Sequence, residues 1–319
     1  MNYILRRVVI AVITMFLVSV FCFAAFAVIR GDPASAAAGV ISTPEQLAAL
    51  REEMGLNRGV FTRYIDWLAG FLSGNPGNSF RFRGGAVSAL IAERLPVTLS
   101  LALLSLFLVL AISVPLSLFT VRREGGAADR FVNFITAAGI SAPGFFLGLL
   151  FIWFFGFTLK LFIPGLYIDY RENFFGFLGC LFFPALAIAV PNAAVLVKFL
   201  RGSLFQELQS DYARTAKSKG ADRGYILRRH VLKNAVIPAI TVLGMITAEV
   251  FSGSIIIEQV FTIPGIGRLL IAAITSRDYP LIQTLMVCIA FIVVAANTLA
   301  DIIIMILDPR IRPSNRNNP

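Results

Sequence analysis

The chain has 319 residues, of which 57% are hydrophobic and 14% charged, and its mean hydropathy is +0.80. This composition excludes an ordinary soluble globular protein and predicts a polytopic membrane protein. The formal net charge is +10, from 28 Lys and Arg against 18 Asp and Glu. Because these basic residues form no soluble basic domain and no interleaved aromatic platform, the charge favours cytoplasmic membrane loops over nucleic-acid binding.

The first predicted element is a transmembrane helix. Arg6 and Arg7 precede an apolar run from Val8 to Ile29, about 22 residues, which is long enough to cross a bilayer. A cleaved signal peptide is the alternative, since Ala34 to Ala38 could form a cleavage site, but its apolar core would normally be about 7–15 residues long. We therefore expect a retained helix with its N-terminus inside.

A polar region, residues 30–95, follows and has the pattern of a small folded cap. Thr43-Pro44-Glu45-Gln46 predicts a capped helix start, and Gly55 can end this helix after Leu47, Leu50 and Met54, which share one face. Apolar residues predict a second amphipathic helix: Tyr64, Ile65, Trp67, Leu68 and Phe71. A turn is predicted at Asn75–Asn78. The cap either contacts an external binding protein or only covers the helix ends.

Five further spans are predicted from apolar runs. They are Val97–Val121, Val132–Leu159, Phe177–Leu200, Val236–Ile257 and Leu281–Leu307, which makes six in all. If successive spans cross the membrane in opposite directions, the basic residues lie on the same side as the N-terminus. They are Arg122, Arg123, Arg130, the cluster from Lys198 to Lys233, Arg310, Arg312 and Arg316. This arrangement satisfies the positive-inside rule and predicts that both termini are cytoplasmic. The Pro-Gly-Ile-Gly run at 264–267 favours a re-entrant or tightly turned segment.

Several polar residues fall within or near these apolar spans. Glu249 and Asp301 lie well inside, and Glu258 lies near a span end. Because buried charge is expensive in a membrane, they should face the bundle interior, a partner or a transport pathway. A structural pair and a substrate contact both remain open, and Asn192 and Asn297 could equally form helix-to-helix hydrogen bonds. Five prolines could kink their helices or simply be tolerated: Pro115, Pro143, Pro184, Pro191 and Pro238.

The loop at about 201–235 is polar and basic in an otherwise apolar chain. Ser210 or Asp211 can cap a helix over Tyr212–Lys219, Gly220 can end it, and Asp222 can cap the helix that runs into the next span. A helix of about eight residues is not stable alone, so a partner should hold it. Its small residues Ala213, Ala216 and Gly220 form a stripe, which Arg214, Lys217 and Lys219 surround. The alternative is a loop that is basic only for topology.

Sites for independent chemistry are missing from the sequence. No segment matches the phosphate-binding pattern G-x-x-x-x-G-K-[ST], and no serine nucleophile elbow is present. His230 is the single histidine, and Cys22, Cys180 and Cys288 each lie in an apolar run. We therefore expect no catalysis, no metal site, no disulfide and no bound cofactor in this chain.

The basic loop resembles the cytoplasmic "EAA" loop of ABC-importer permeases, in the variant of the dipeptide, oligopeptide and nickel branch. Ala216, Gly220 and Leu232 fit that pattern. It departs at four positions: Arg214 and Thr215 replace Glu-Ala, His230 takes the Ile position and Lys233 takes the Pro position. Segments elsewhere agree in order, and they are Gly31–Pro33, Arg94–Leu99, Phe261 with Pro264–Arg268, Arg277–Pro280 and Asp308–Arg312.

The resemblance implies an all-α permease like those of type I ABC importers, with six transmembrane helices in a bacterial or archaeal inner membrane. Residues 1–95 would hold the first helix and the cap, and residues 96–319 the permease core. Its implied partners are a second, similar permease, two cytosolic ATPases that bind ATP and Mg²⁺, and an extracytoplasmic solute-binding protein. The residues implied to couple to the ATPases are Asp211, Tyr212, Ala213, Arg214, Thr215, Ala216, Lys217, Lys219 and Gly220.

The expected substrates are peptides first and nickel or a nickel chelate second. Two rival hypotheses come from other classes. In a self-sufficient secondary transporter, Glu249, Glu258 and Asp301 would be proton or ion sites. A membrane enzyme or assembly factor is disfavoured because nucleophile and metal constellations are missing from the sequence.

Overall fold

The computed structural model describes residues 3–28, 34, 43–53, 55–81 and 85–307. In this part of the chain the structure is all-α, as predicted, with no β-strand and one isolated bridge between Asn78 and Ala86. The first helix is α1 (Tyr3–Val28), and the cap region contains α2 (Pro44–Glu53) and α3 (Val60–Leu72). The following helices are α4 (Val87–Arg122), α5 (Ala127–Ser141), α6 (Gly144–Phe151, continued by a π-helix over Ile152–Thr158) and α7 (Phe174–Leu208).

The remaining helices follow the basic loop. They are α8 (Asp211–Ser218), α9 (Arg223–Ile226, continued by a π-helix over Leu227–Val231), α10 (Leu232–Val260), α11 (Ile266–Ser276) and α12 (Tyr279–Leu307). The predicted motifs Gly31–Pro33 and Asp308–Arg312, together with Met54, Arg30 and Arg316, lie outside the described residues.

Five helices in the described ranges are long and apolar enough to cross a membrane, and a sixth span results if α5 and the α6 segment count as one. The span predicted over Val132–Leu159 is not one straight helix, because α5 and the α6 segment are bent by 104°. Pro143 stands at the break. The residue before a proline is pushed out of the helical region, and Ala142 is extended, with φ −88° and ψ 119°.

Contacts divide the chain into two compact units, of which the first contains Met1–Arg7, Ser100–Ile263 and Ala295–Pro319. Helix α7 is its centre and packs against α5, α6 and α10. Small residues permit this packing: a Cβ added to Gly139 would lie 3.0 Å from the Cβ of Ala194, and one on Gly148 would lie 3.0 Å from the Phe261 ring. Close approach through small residues is the usual packing of membrane helices.

The second unit contains Val8–Leu99 and Pro264–Val294. Its core is a buried aliphatic cluster that includes Val87, Ile266, Leu281 and Leu285. The amide of Ile266 opens α11 and donates to the hydroxyl of Thr98 at 2.8 Å. The segments Arg94–Leu99 and Pro264–Arg268, which both carry the family resemblance, therefore meet here. The Pro-Gly-Ile-Gly run leads into α11, with Gly265 at the N-cap and Ile266 as the first helical residue.

The cap helices belong to the same unit and are built largely as predicted. Thr43 and Gln46 form the reciprocal capping box: the Thr43 amide donates to Gln46 Oε1 at 3.1 Å, and the Gln46 amide donates to Thr43 Oγ1 at 3.3 Å. The chain turns at Ser73–Gly74, where Gly74 has φ +80°, and Gly77 within the predicted turn at Asn75–Asn78 is also left-handed, with φ +101°.

Asp278 connects the extended segment after the cap helices to the start of α12. Its buried carboxylate accepts a hydrogen bond from Ser79 Oγ at 2.5 Å and from the Arg81 amide at 3.2 Å. A carboxylate at the start of a helix also compensates free backbone amides there.

Candidate functional site

The basic loop is the candidate site, and its central element is the eight-residue helix α8. The Gly220 amide donates to Lys217 O at 3.0 Å and the Ala221 amide donates to Ala216 O at 3.2 Å. This pair of bonds is the Schellman helix end, which needs a left-handed residue, and Gly220 supplies it with φ +83°. The predicted end of the helix is confirmed.

The start of α8 differs from the prediction. Ser210 occupies the N-cap position, but its hydroxyl donates backwards to Glu207 O at 2.6 Å and does not cap α8. Asp211 is the first helical residue. The prediction that Asp222 caps the following helix is confirmed, because its carboxylate accepts from the Gly224 amide at 2.8 Å.

Tyr212 joins α8 to the two long helices on either side of it in the chain. Its hydroxyl donates to the carboxylate of Glu207, in the last turn of α7. Partial burial of the phenol, and then its hydrogen bond with Glu207, raise the pKa of Tyr212, whereas hydrogen bonds with Asn234 and Ser210 oppose that rise. Asn234 lies in the first turn of α10. The Tyr212 side chain therefore bonds to α7 and lies close to α10.

The small-residue stripe is not a single open surface. Ala213 is only 4% exposed and packs inside its own chain, whereas Ala216 is half-buried and Gly220 is exposed. The prediction that all three can take part in a close approach is therefore wrong for Ala213. Helical spacing turns the rest of α8 outwards, and its exposed residues are Asp211, Tyr212, Arg214, Thr215, Lys217 and Ser218.

A pocket of about 550 Å³ opens beside α8. Phe205 and Ile226 give it an apolar wall, and Arg214, Lys217 and Asp222 bring charge to it. The Arg214 side chain is 72% exposed, and its guanidinium lies 3.9 Å from the carboxylate of the fully exposed Asp211. This ion pair is weak because the distance is long and both groups are solvated by water. The charged groups of α8 thus remain available to a partner.

An ion pair that sequence reasoning missed fixes the helices behind this site. Asp129 in α5 pairs with Arg201 in α7 at 2.9 Å, and Asp129 is 5% exposed. The carboxylate also accepts from the Gly125 amide at 3.1 Å and from Asn133 Nδ2 at 3.2 Å. The guanidinium of Arg201 lies 4.8 Å above the ring centre of Phe205, which lines the pocket.

The predicted intramembrane polar residues do not form one cluster. Glu249 is exposed and Glu258 is fully buried, and nine residues of α-helix place them on opposite faces of α10. Asn297 and Asp301 share one face of α12, four residues apart. Asp301 pairs with Arg7 at 2.9 Å, with side-chain exposures of 30% and 38%.

Asn192 lies in the core of the first unit. Its Nδ2 donates to Ile188 O at 2.9 Å, and its buried Oδ1 has no partner among the described residues. The described residues also contain no group of three or more His, Cys, Asp or Glu placed to hold a metal ion.

Comparison with known proteins covers nearly the whole chain. The family described as "Binding-protein-dependent transport system inner membrane component" matches residues 113–313, and the N-terminal family of the same transport systems matches residues 1–102. The chain is similar to the probable peptide ABC transporter permease protein y4tP of Sinorhizobium fredii, with 37% identity over 97% of this chain and 99% of the relative.

Two further relatives come from Bacillus subtilis and Lactococcus lactis. The oligopeptide transport system permease protein AppB of Bacillus subtilis is 33% identical over 97% of this chain and 98% of its own length. The dipeptide transport system permease protein DppB of Lactococcus lactis is 32% identical over 98% of this chain and 99% of its own length.

Proposed function

The chain belongs to the family of binding-protein-dependent transport system inner membrane components, and we propose that it is the permease subunit through which an ATP-driven importer passes peptides into the cytoplasm. It is a multi-pass inner-membrane protein. The names of its relatives support peptides over nickel complexes as the substrate class.

The proposed assembly contains a second, homologous permease, two cytosolic ATPases that bind ATP and Mg²⁺, and an extracytoplasmic binding protein that delivers the peptide. Helix α8 and both chain termini lie in the cytoplasm. The observation that carries the proposal is the hydrogen bond from the Tyr212 hydroxyl to Glu207 on α7, with Asn234 of α10 close enough to act on the same phenol. When ATP closes the ATPases, α8 moves, and these contacts pass the movement to the helices that border the pathway.

The test measures ATPase co-purification and peptide uptake together. Gly220→Val places a β-branched side chain at φ +83°, where left-handed backbone disfavours it by about 1–2 kcal/mol. Ala216→Glu places charge on the half-buried face of α8. We expect both variants to insert into the membrane, and to lose ATPase co-purification and most of the uptake.

Gly202→Val is the matched control. Gly202 is an exposed residue within α7, and an added Cβ meets no atom within 4 Å. This variant should retain both ATPase and uptake. Normal uptake by Gly220→Val and Ala216→Glu would remove the docking role of α8.

A further inference from the structure

A second pocket, which we call the cap pocket, lies entirely within the second unit. Its volume is about 380 Å³, which falls within the range of about 300–1,000 Å³ typical of small-molecule sites. Arg63, Asp66 and Trp67 of α3 line it together with Glu52 of α2 and Tyr279 of α12. Neither α8 nor the intramembrane polar residues contribute to it.

The guanidinium of Arg63 is the unusual group of this pocket. It is half-buried, and burial lowers the pKa of Arg63. Buried charges are normally paired, yet no described residue forms a side-chain hydrogen bond or ion pair with Arg63. Its neighbour Asp66 already pairs with Arg58 at 3.2 Å. Among the described residues, the pocket therefore presents a partly desolvated cation that lacks an anion.

An aromatic wall stands beside this cation. The Trp67 ring stacks on Phe71, with centroids 5.6 Å apart, and lies 6.1 Å from Phe23. Its indole nitrogen donates to Thr284 Oγ1 at 3.4 Å, so the ring is held from two sides. A fixed aromatic surface suits an apolar side chain of a ligand.

The charges in the pocket are of both signs. Arg58 and Asp66 neutralise each other, which leaves Arg63 as a cation and the exposed carboxylate of Glu52 as an anion. A ligand that matches this set carries a carboxylate, an amino group and an apolar part.

We propose that the cap pocket binds a short peptide, with its C-terminal carboxylate on Arg63, its amino group towards Glu52 and an apolar side chain against Trp67. This proposal rests on the proposed function for the substrate class, and adds a second contact site for the solute in the cap. A carboxylate that meets a guanidinium forms charge-assisted hydrogen bonds, often two in parallel, which fixes the orientation of the peptide.

The experiment uses the fluorescence of Trp67. The chain has two tryptophans, so Trp153→Phe leaves Trp67 as the single reporter. The full chain in phosphatidylcholine nanodiscs is titrated with the dipeptide Ala-Leu and with its C-terminal amide. We expect a saturable change in Trp67 emission with Ala-Leu and binding at least about tenfold weaker with the amide, because the charge-assisted bond is lost.

Variants on the Trp153→Phe background test the cation itself. Arg63→Gln should weaken Ala-Leu binding at least about tenfold, and Arg63→Lys should weaken it less because the charge remains. Arg51→Gln is the matched control, since Arg51 is an exposed arginine of α2 that does not line the pocket. It should bind like the parent, and melting curves identify any variant that does not fold.

Four results would overturn the proposal. The first is no saturable response to Ala-Leu, the second is equal affinity for the dipeptide and its amide, and the third is an Arg63→Gln variant that binds like Arg51→Gln. Nanodiscs containing phosphatidylglycerol test a lipid phosphate: an Arg63-dependent response to this lipid that Ala-Leu cannot displace would also overturn it. Binding of Ala-Leu is measured without ATP or partners, so a lack of binding would leave the importer proposal standing. Conversely, a chain that binds Ala-Leu normally but supports no peptide uptake would count only against the importer proposal.

Discussion

Removing the carboxylate of Asp129 should destabilise the first unit more than removing any exposed carboxylate. Asp129→Ala deletes the partner of Arg201 and the acceptor for both the Gly125 amide and Asn133. The side chain of Asp129 is 7% exposed and that of Arg201 is 25% exposed, so water replaces these contacts poorly. The variant leaves a cation held mainly by the ring of Phe205.

The size of the effect follows from this geometry. Removing one partner of a fully buried ion pair costs about 3–5 kcal/mol, and the partial exposure of Arg201 lowers our expectation to about 2–3 kcal/mol. At about 2–4 °C per kcal/mol for a chain of a few hundred residues, the melting temperature should fall by about 5–10 °C. The ion pair of Arg58 and Asp66 is the control, because its side chains are 67% and 56% exposed. Asp66→Ala should cost at most about 1 kcal/mol.

The assay heats the detergent-solubilised chain and measures the fraction that still elutes as a monodisperse peak in gel filtration. The double variant Asp129→Ala/Arg201→Met tests the cause, because an apolar residue in place of the cation removes the unpaired charge. It should melt above the single Asp129 variant. Equal melting of Asp129→Ala and Asp66→Ala would refute the reasoning, and so would a double variant that is less stable than Asp129→Ala.

Three remaining predictions concern topology and the intramembrane charges. In a background without the native cysteines, a membrane-impermeant thiol reagent should label Glu52→Cys but not Lys217→Cys in intact cells, and external labelling of Lys217→Cys would overturn the topology. Asp301→Asn should lower the heat stability of the isolated chain by at most about 1 kcal/mol, since its ion pair with Arg7 is partly exposed; a larger loss would indicate a buried role. Glu249→Gln should leave that stability unchanged but lower the yield of the permease pair, and altered peptide preference at normal yield would place Glu249 in the pathway.

Local sequence signals predicted the local structure well. The capping box of Thr43 and Gln46, the left-handed end at Gly220 and the cap at Asp222 each depend on residues at most five apart, and all three are confirmed. Apolar runs located the membrane helices for a similar reason, because length and hydropathy are properties of one segment.

Three features of the structure were not predictable in this way. Hydropathy is high on both sides of Pro143, so the apolar run did not reveal the 104° bend, although the proline itself was a signal for it. The ion pair of Asp129 and Arg201 joins residues 72 positions apart, and a single sequence contains no information on that pairing. Ala213 turned inwards for the same reason, since its neighbours come from other helices.

The bend at Pro143 has a consequence for biogenesis. The helices on its two sides contain 15 residues each, α5 directly and α6 with its π-helical continuation, so each is about 22 Å long and shorter than the hydrocarbon core of about 30 Å. Neither half can cross the bilayer alone, and both pack against α7. Helix α7 begins at Phe174 and therefore leaves the ribosome after both halves. The bent pair can complete its packing against α7 only once α7 has been synthesised.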